Sequence, residues 1–173
     1  MPDLKITDLR AAVVVKAPMT CPLIRIDTNF EGLYGLGEVR DWGSKTYALM
    51  LKSRLVGMNP LNVDHIFRVI KQFGGHGRLG GGVCGIEMAL WDIVGKYYGV
   101  PVYQLLGGKF RDTIRIYADT SEGADATETG ENLKHRVAQG FTFLKMDVGL
   151  ALLQQTPGTM TTPYGQTPPP NLP

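Results

Sequence analysis

Only two cysteines occur, Cys21 and Cys84, far apart and with no Cys-x-x-Cys pair, which argues against a disulfide scaffold and against a thiolate metal site. Excess charge of one sign is also missing. The chain has 18 Lys and Arg against 16 Asp and Glu, with no basic run or basic helical face, so nothing directs it to nucleic acid or an anionic membrane. Long apolar runs are absent near the N-terminus, where Ala11 to Val15 is only five residues long between Arg10 and Lys16. That is too short for a signal peptide core or a membrane span, and cytoplasmic residence is the default expectation. Of the three histidines, His65 and His135 fall in predicted helices without ligand spacing, as structural or surface residues.

Against these absences stands 43% hydrophobic content in 173 residues, enough for a buried core and for one or two folded domains. A small molecule is the expected partner. Cys84 reads as a small core residue, and Trp91 and the methionines as packing residues.

Residues Leu4 to Val15, Leu23 to Asp27 and Leu33 to Val39 read as strands, the last two joined by a turn around Asn29, Glu31 and Gly32. They predict an antiparallel meander. Ser44 caps a helix running through Leu55 that Gly57 stops, and Asn59-Pro60 opens a second one through Phe73. A third helix shows apolar residues at Ile86, Ala89, Leu90, Ile93, Val94 and Tyr97, the spacing of one buried face, and ends at Gly99 and Pro101. This is an α+β arrangement over residues 1–112. From residue 113 to 149 the pattern becomes strand Ile114 to Ala118, helix Thr127 to Gln139 capped by Gly140, and strand Phe141 to Val148, a βαβ unit with a right-handed crossover. Residues 150–173 carry no charge, six prolines and five threonines, and read as an extended loop or tail.

The third helix and its sequel carry more than periodicity. The order Cys84-Gly85, Glu87, Ala89-Leu90-x-Asp92, Gly95-Lys96, Pro101-Val102 and Leu105-Leu106-Gly107 resembles the signature of the mandelate racemase and muconate lactonizing enzyme group of the enolase superfamily. The resemblance implies an α+β capping domain followed by the first βαβ unit of a (β/α)₈ barrel. It implies that Glu87 and Asp92 are structural and not metal ligands; Asp92 and Lys96 also stand at i,i+4.

The resemblance also implies chemistry: abstraction of the proton alpha to a carboxylate, with the enediolate stabilised by Mg²⁺. The family's second barrel strand carries Lys-x-Lys, and here the aligned stretch reads Lys145-Met146-Asp147. Alternation puts Phe143, Lys145 and Asp147 on one face. On the residues alone, Lys145 and Asp147 read as an i,i+2 ion pair on an exposed strand. The resemblance instead makes Lys145 the first lysine of the motif, a catalytic position, and Asp147 its neighbour, orienting Lys145 or bonding a substrate hydroxyl. Loss of the second lysine favours dehydration of a sugar acid over racemisation, epimerisation or cycloisomerisation. The loop Lys16 to Pro22 corresponds to a family loop over the substrate, with Lys16 and Thr20 as substrate-binding candidates beside the reading of a solvated turn.

Gly75-x-Gly77-x-x-Gly80 looks like a dinucleotide fingerprint but follows a predicted helix and not a strand, so it reads as a close-approach loop with His76 and Arg78 as its candidate side chains. A (β/α)₈ barrel needs roughly 250 residues, whereas only 61 follow residue 112. The barrel is therefore expected to be incomplete, the Mg²⁺ ligands to lie beyond residue 173, and the chain to be part of a longer homo-oligomeric enzyme or a non-catalytic capping module for another subunit.

Overall fold

A computed structural model of the chain describes residues 3–14, 20–39, 43–74 and 82–146. The chain divides into two compact units between Phe110 and Arg111.

In the first unit, β1 (Ile6–Val13), β2 (Pro22–Thr28) and β3 (Tyr34–Glu38) form an antiparallel meander in that order. The β2–β3 turn is closed by Thr28, whose hydroxyl donates to the Leu33 carbonyl at 2.7 Å, and by Gly32 at φ 74°, which a residue with a Cβ adopts only at a cost. Strand β1 breaks simple alternation. Its register on β2 shifts between Ile6 and Asp8, so Ile6 and Leu9, three apart, both point into the core.

Helices α1 (Lys45–Met50) and α2 (Lys52–Leu55) follow, α1 capped by the Ser44 hydroxyl accepting from the Tyr47 N–H at 3.1 Å. The single helix expected from Ser44 to Leu55 is thus interrupted at Leu51. The next helix, α3, spans Val63–Ile70 and runs into a 3₁₀ turn at Lys71–Phe73. It starts three residues later than Asn59-Pro60 suggests, because Asn59 spends its side chain on the Leu61 N–H (3.0 Å) and its carbonyl on the Asn62 N–H (3.1 Å), closing a turn first.

Helix α4 (Val83–Tyr98) lies across the sheet. Ile86, Ala89, Leu90, Ile93 and Val94 are buried, as their spacing requires, while Tyr97 is only partly covered. They meet Ile24 and Ile26 of β2 and share the core with Leu55, Ile66 and Ile70. Each fully buried Ile or Leu contributes about 1.5–3 kcal/mol relative to exposure. Cys84 is exposed and not a core residue: it stands two positions before Ile86, about 200° around the helix from the buried face. Met50 and Met88 are exposed as well, whereas Trp91 and Met58 pack on the core.

The approach of α4 to β3 is set by glycine. Cross-strand neighbours Ile26 and Gly35, and Ile24 and Gly37, form two rows on the buried face, so the edge strand offers no side chain beneath the helix. A Cβ on Gly35 would lie 1.9 Å from the Ala89 carbonyl oxygen, and one on Gly37 would lie 1.9 Å from that of Gly85. Asp92 fastens the same contact: its Oδ2 accepts the Leu36 N–H at 2.8 Å and the Lys96 ammonium at 2.7 Å, and Lys96 also donates to the Tyr34 carbonyl at 2.9 Å. The i,i+4 pair therefore satisfies an edge-strand donor and acceptor, consistent with a structural role. Gly99 ends α4 in the left-handed conformation (φ 67°), and Pro101 precedes the short α5 (Val102–Leu105).

Opposite the core, β1 and β2 carry a charged network. Arg10 and Arg25 donate to Asp27, the guanidinium Nε atoms at 2.9 and 2.8 Å, and Lys52 pairs with Asp8. The Lys52 hydrogen bond holds the Asp8 carboxyl below the ordinary 3.8. Partial burial pushes Asp27 up, but the Arg25 and Arg10 hydrogen bonds together outweigh it and leave it lowered too. A lowered native pKa means the unfolded chain binds more protons near and below pH 4, so this stabilisation is complete above the unfolded value and is lost as pH falls through the native ones. Urea midpoints are expected to drop between pH 6 and pH 3, and the drop should shrink in Asp27→Asn; an unchanged pH slope in that variant would discard the network as the cause.

The second unit holds β4 (Ala118–Thr120), α6 (Ala126–Ala138) and β5 (Leu144–Met146). The two strands pair in parallel, Ala118 with Leu144, Asp119 with Lys145 and Thr120 with Met146, which is a βαβ unit. Asp125 caps α6, its Oδ1 accepting the Glu128 N–H at 2.9 Å, while Glu128 returns to the Ala124 N–H at 2.7 Å, and Gly140 (φ 94°) follows the helix. Strand β4 is displaced from the expected Ile114 to Ala118. Ile114 and Ile116 are 73% and 66% exposed, their alternation finding no paired strand before Ala118. Strand β5 is likewise shorter than expected at its start, with Phe141 to Phe143 lying before the ladder, and Asp147 onward lies outside the described residues.

Candidate active site

Within β4, Ala118 and Thr120 are buried and Asp119 between them is exposed, so the strand presents two distinct faces. Helix α6 packs against this strand. The parallel register carries Lys145 onto the Asp119 face, and the Lys145 ammonium donates to Asp119 Oδ1 at 3.1 Å. Lys145 is half-buried, its side chain 39% exposed against 56% for Asp119.

The same face continues toward the strand starts. Tyr117 and Phe143 meet edge to face with centroids 6.0 Å apart, the Arg115 guanidinium lies 5.1 Å from the Phe143 ring, and the Lys145 ammonium lies 5.8 Å from the Tyr117 ring. Aromatic groups thus form the lower part of the row, and the Asp119–Lys145 pair stands toward the carboxyl ends of the strands. Barrel enzymes gather their chemistry at that end. A cation held beside a carboxylate and an aromatic ring can bind an anionic substrate group or transfer a proton.

Of the residues nominated from sequence, Lys145 is on this face. Asp147 and Lys16 lie outside the described residues, as do His76, Arg78 and the stretch 150–173. Thr20 is exposed just ahead of β2, in the first unit. Sequence reasoning missed Asp119, a partner that the structure gives Lys145. The signal was present in the alternation: if Ile114, Ile116 and Ala118 share one face, Arg115, Tyr117 and Asp119 share the other. No group of three His, Cys, Asp or Glu side chains among the described residues is placed to hold a metal ion. No helix among them is long and apolar enough to cross a membrane. An open groove on the first unit, lined by Leu61 to His65 and Trp91, brings no such ligands together.

Residues 6–107 match the family described as mandelate racemase / muconate lactonizing enzyme, N-terminal domain. A D-galactonate dehydratase family member of Salmonella virchow (strain SL491) is 33% identical over 159 residues, covering 87% of this chain and 38% of its own length. The D-xylonate dehydratase of Haloferax volcanii is 35% identical over 156 residues, 84% of this chain and 37% of its own. Among solved structures, an enolase from Pantoea ananatis with bound D-gluconate and Mg superposes with a TM-score of 0.71 at 31% identity, over 83% of this chain and 36% of that one. The chain therefore spans less than two fifths of the length of these curated relatives.

Proposed function

We propose that this chain, which belongs to the mandelate racemase / muconate lactonizing enzyme family, is part of an Mg²⁺-dependent acid-sugar dehydratase. The observation that supports this reading most directly is Lys145, half-buried at the carboxyl end of a parallel strand pair, in a chain whose curated relatives include D-galactonate dehydratase family members and a D-xylonate dehydratase.

The reaction breaks the C–H bond alpha to the carboxylate, and the electron pair left behind expels the hydroxyl on the next carbon, which leaves as water after taking up a proton. The enol that remains tautomerises to a 2-keto-3-deoxy acid. The alpha proton is too weakly acidic to leave without stabilisation of the enediolate, which is the chemistry Mg²⁺ supplies when bound. The described residues do not bring its ligands together. Lys145 contributes a cation or proton-transfer group at the reacting end of the substrate. Asp147 bonds a substrate hydroxyl or orients Lys145, and Lys16 and Thr20 are the further substrate-binding candidates. The complete protein is a homo-oligomer.

The test is an assay of the complete protein with Mg²⁺ on D-galactonate, D-gluconate, D-xylonate and related acids, following 2-keto product. Formation of that product is the expected outcome. Deuterium entering the alpha carbon from solvent without loss of water would replace dehydration by racemisation or epimerisation.

A further inference from the structure

We infer that Asp119 is a positioning residue for Lys145, a role that rests on the dehydratase reading for its catalytic meaning. The two side chains face each other across the β4–β5 ladder in direct register, and the Lys145 ammonium donates to Asp119 Oδ1 at 3.1 Å. A lysine side chain has four rotatable bonds, and on a face open to solvent its ammonium samples many positions. A carboxylate fixed on the neighbouring strand removes much of that freedom. The Tyr117 ring, 5.8 Å from the ammonium, borders the same space.

The pair has little structural work to do. Both side chains are more than a third exposed, and exposed ion pairs contribute little to folding. The strands are held by other means: the Ala118 N–H donates to the Phe143 carbonyl at 2.9 Å, Thr120 and Ala118 are buried, and the Arg136 guanidinium ties α6 to the Asp119 carbonyl at 3.2 Å. That bond uses the Asp119 backbone, so a side-chain substitution leaves it in place. What the Asp119 carboxylate adds is the location of the Lys145 charge.

Two measurements on the complete protein test this. In the first, lysines are reductively ¹³C-methylated and the Lys145 signal is assigned by its loss in Lys145→Arg. It is expected apart from the solvent-averaged lysines, to shift in Asp119→Asn, and to keep its place in Asp119→Glu. An unmoved signal in Asp119→Asn would overturn the inference, whatever the activity. In the second, Asp119→Asn is expected to lower kcat about 10–100-fold, the scale of a small misplacement of a reacting group. KM and the thermal midpoint should change little, Asp119→Glu should recover most of the loss, and Asp119→Asn should have no further effect once Lys145 is Ala. A kcat loss that persists in the Lys145→Ala background, or one that follows a fall in thermal midpoint, would also overturn it. If the wild-type protein turns over none of the sugar acids, the dehydratase reading fails, and the methyl-lysine signal still decides the role of Asp119.

Discussion

A Gly35→Ala substitution is expected to destabilise the first unit by about 3 kcal/mol or more, at the upper end of what overpacking costs. The added Cβ would fall 1.9 Å from the Ala89 carbonyl oxygen and 2.8 Å from the side chain of Ile93. Ordinary contact begins near 3.4 Å, so one backbone must retreat from the other by on the order of 1 Å. Neither has an easy path. Strand β3 is held by β2 and by the Asp92 bond to the Leu36 N–H, and a retreat of α4 lifts Ile86, Leu90 and Ile93 off Ile24 and Ile26. For a unit of about this size the loss corresponds to roughly 10–20 °C in thermal midpoint. Circular dichroism melts of the two proteins check it, and a midpoint within about 2 °C of the parent would mean that the helix does not rest on β3 as described. Gly37 faces the Gly85 carbonyl oxygen at the same 1.9 Å, so its alanine variant belongs to the same class.

The second large effect concerns chemistry and not folding. In the complete protein, Lys145→Met is expected to reduce turnover of the sugar acid by about 10²–10⁴, the usual range for losing a positioned acid–base group. Stability should change by no more than about 1 kcal/mol, because the lysine's bond to Asp119 is solvent-accessible. Methionine keeps an unbranched stem of similar length and removes the charge, so packing beside Tyr117 is largely preserved. Steady-state kinetics with a parallel thermal melt separate the two effects. Turnover within a factor of about 3 of the parent would remove Lys145 from the site, because no acid–base role is that dispensable.

Much of the first unit was legible from local signals. The Ser44 cap, the buried face from Ile86 to Val94, the Gly99 terminus and the Asp92–Lys96 spacing each depend on residues within a few positions of one another. The errors have a common origin. Asn59-Pro60 carries a helix-opening signal that a competing side-chain turn absorbs, the residue type of Cys84 does not carry its angle on the helix, and the alternation at Ile114 does not carry the presence of a partner strand.

By itself the sequence determined the element types and their order, because helical and strand periodicities, caps and turns are short-range properties of the chain; it also carried the family signature, and the resemblance to that family is what nominated Lys145. Only the tertiary structure decided that Gly35 and Gly37 are the seat of α4, that a register shift brings Ile6 and Leu9 to the same core, and that Asp119 is a partner of Lys145. Those facts join residues 19 to 54 positions apart: Ala89 stands 54 beyond Gly35, Lys145 26 beyond Asp119, and Asp27 and Thr28 stand 19 and 22 beyond Asp8 and Ile6, their partners on either side of the register shift. Cross-strand register and the depth at which a helix settles on a sheet are set by how two distant surfaces fit, a quantity that no local window of sequence contains.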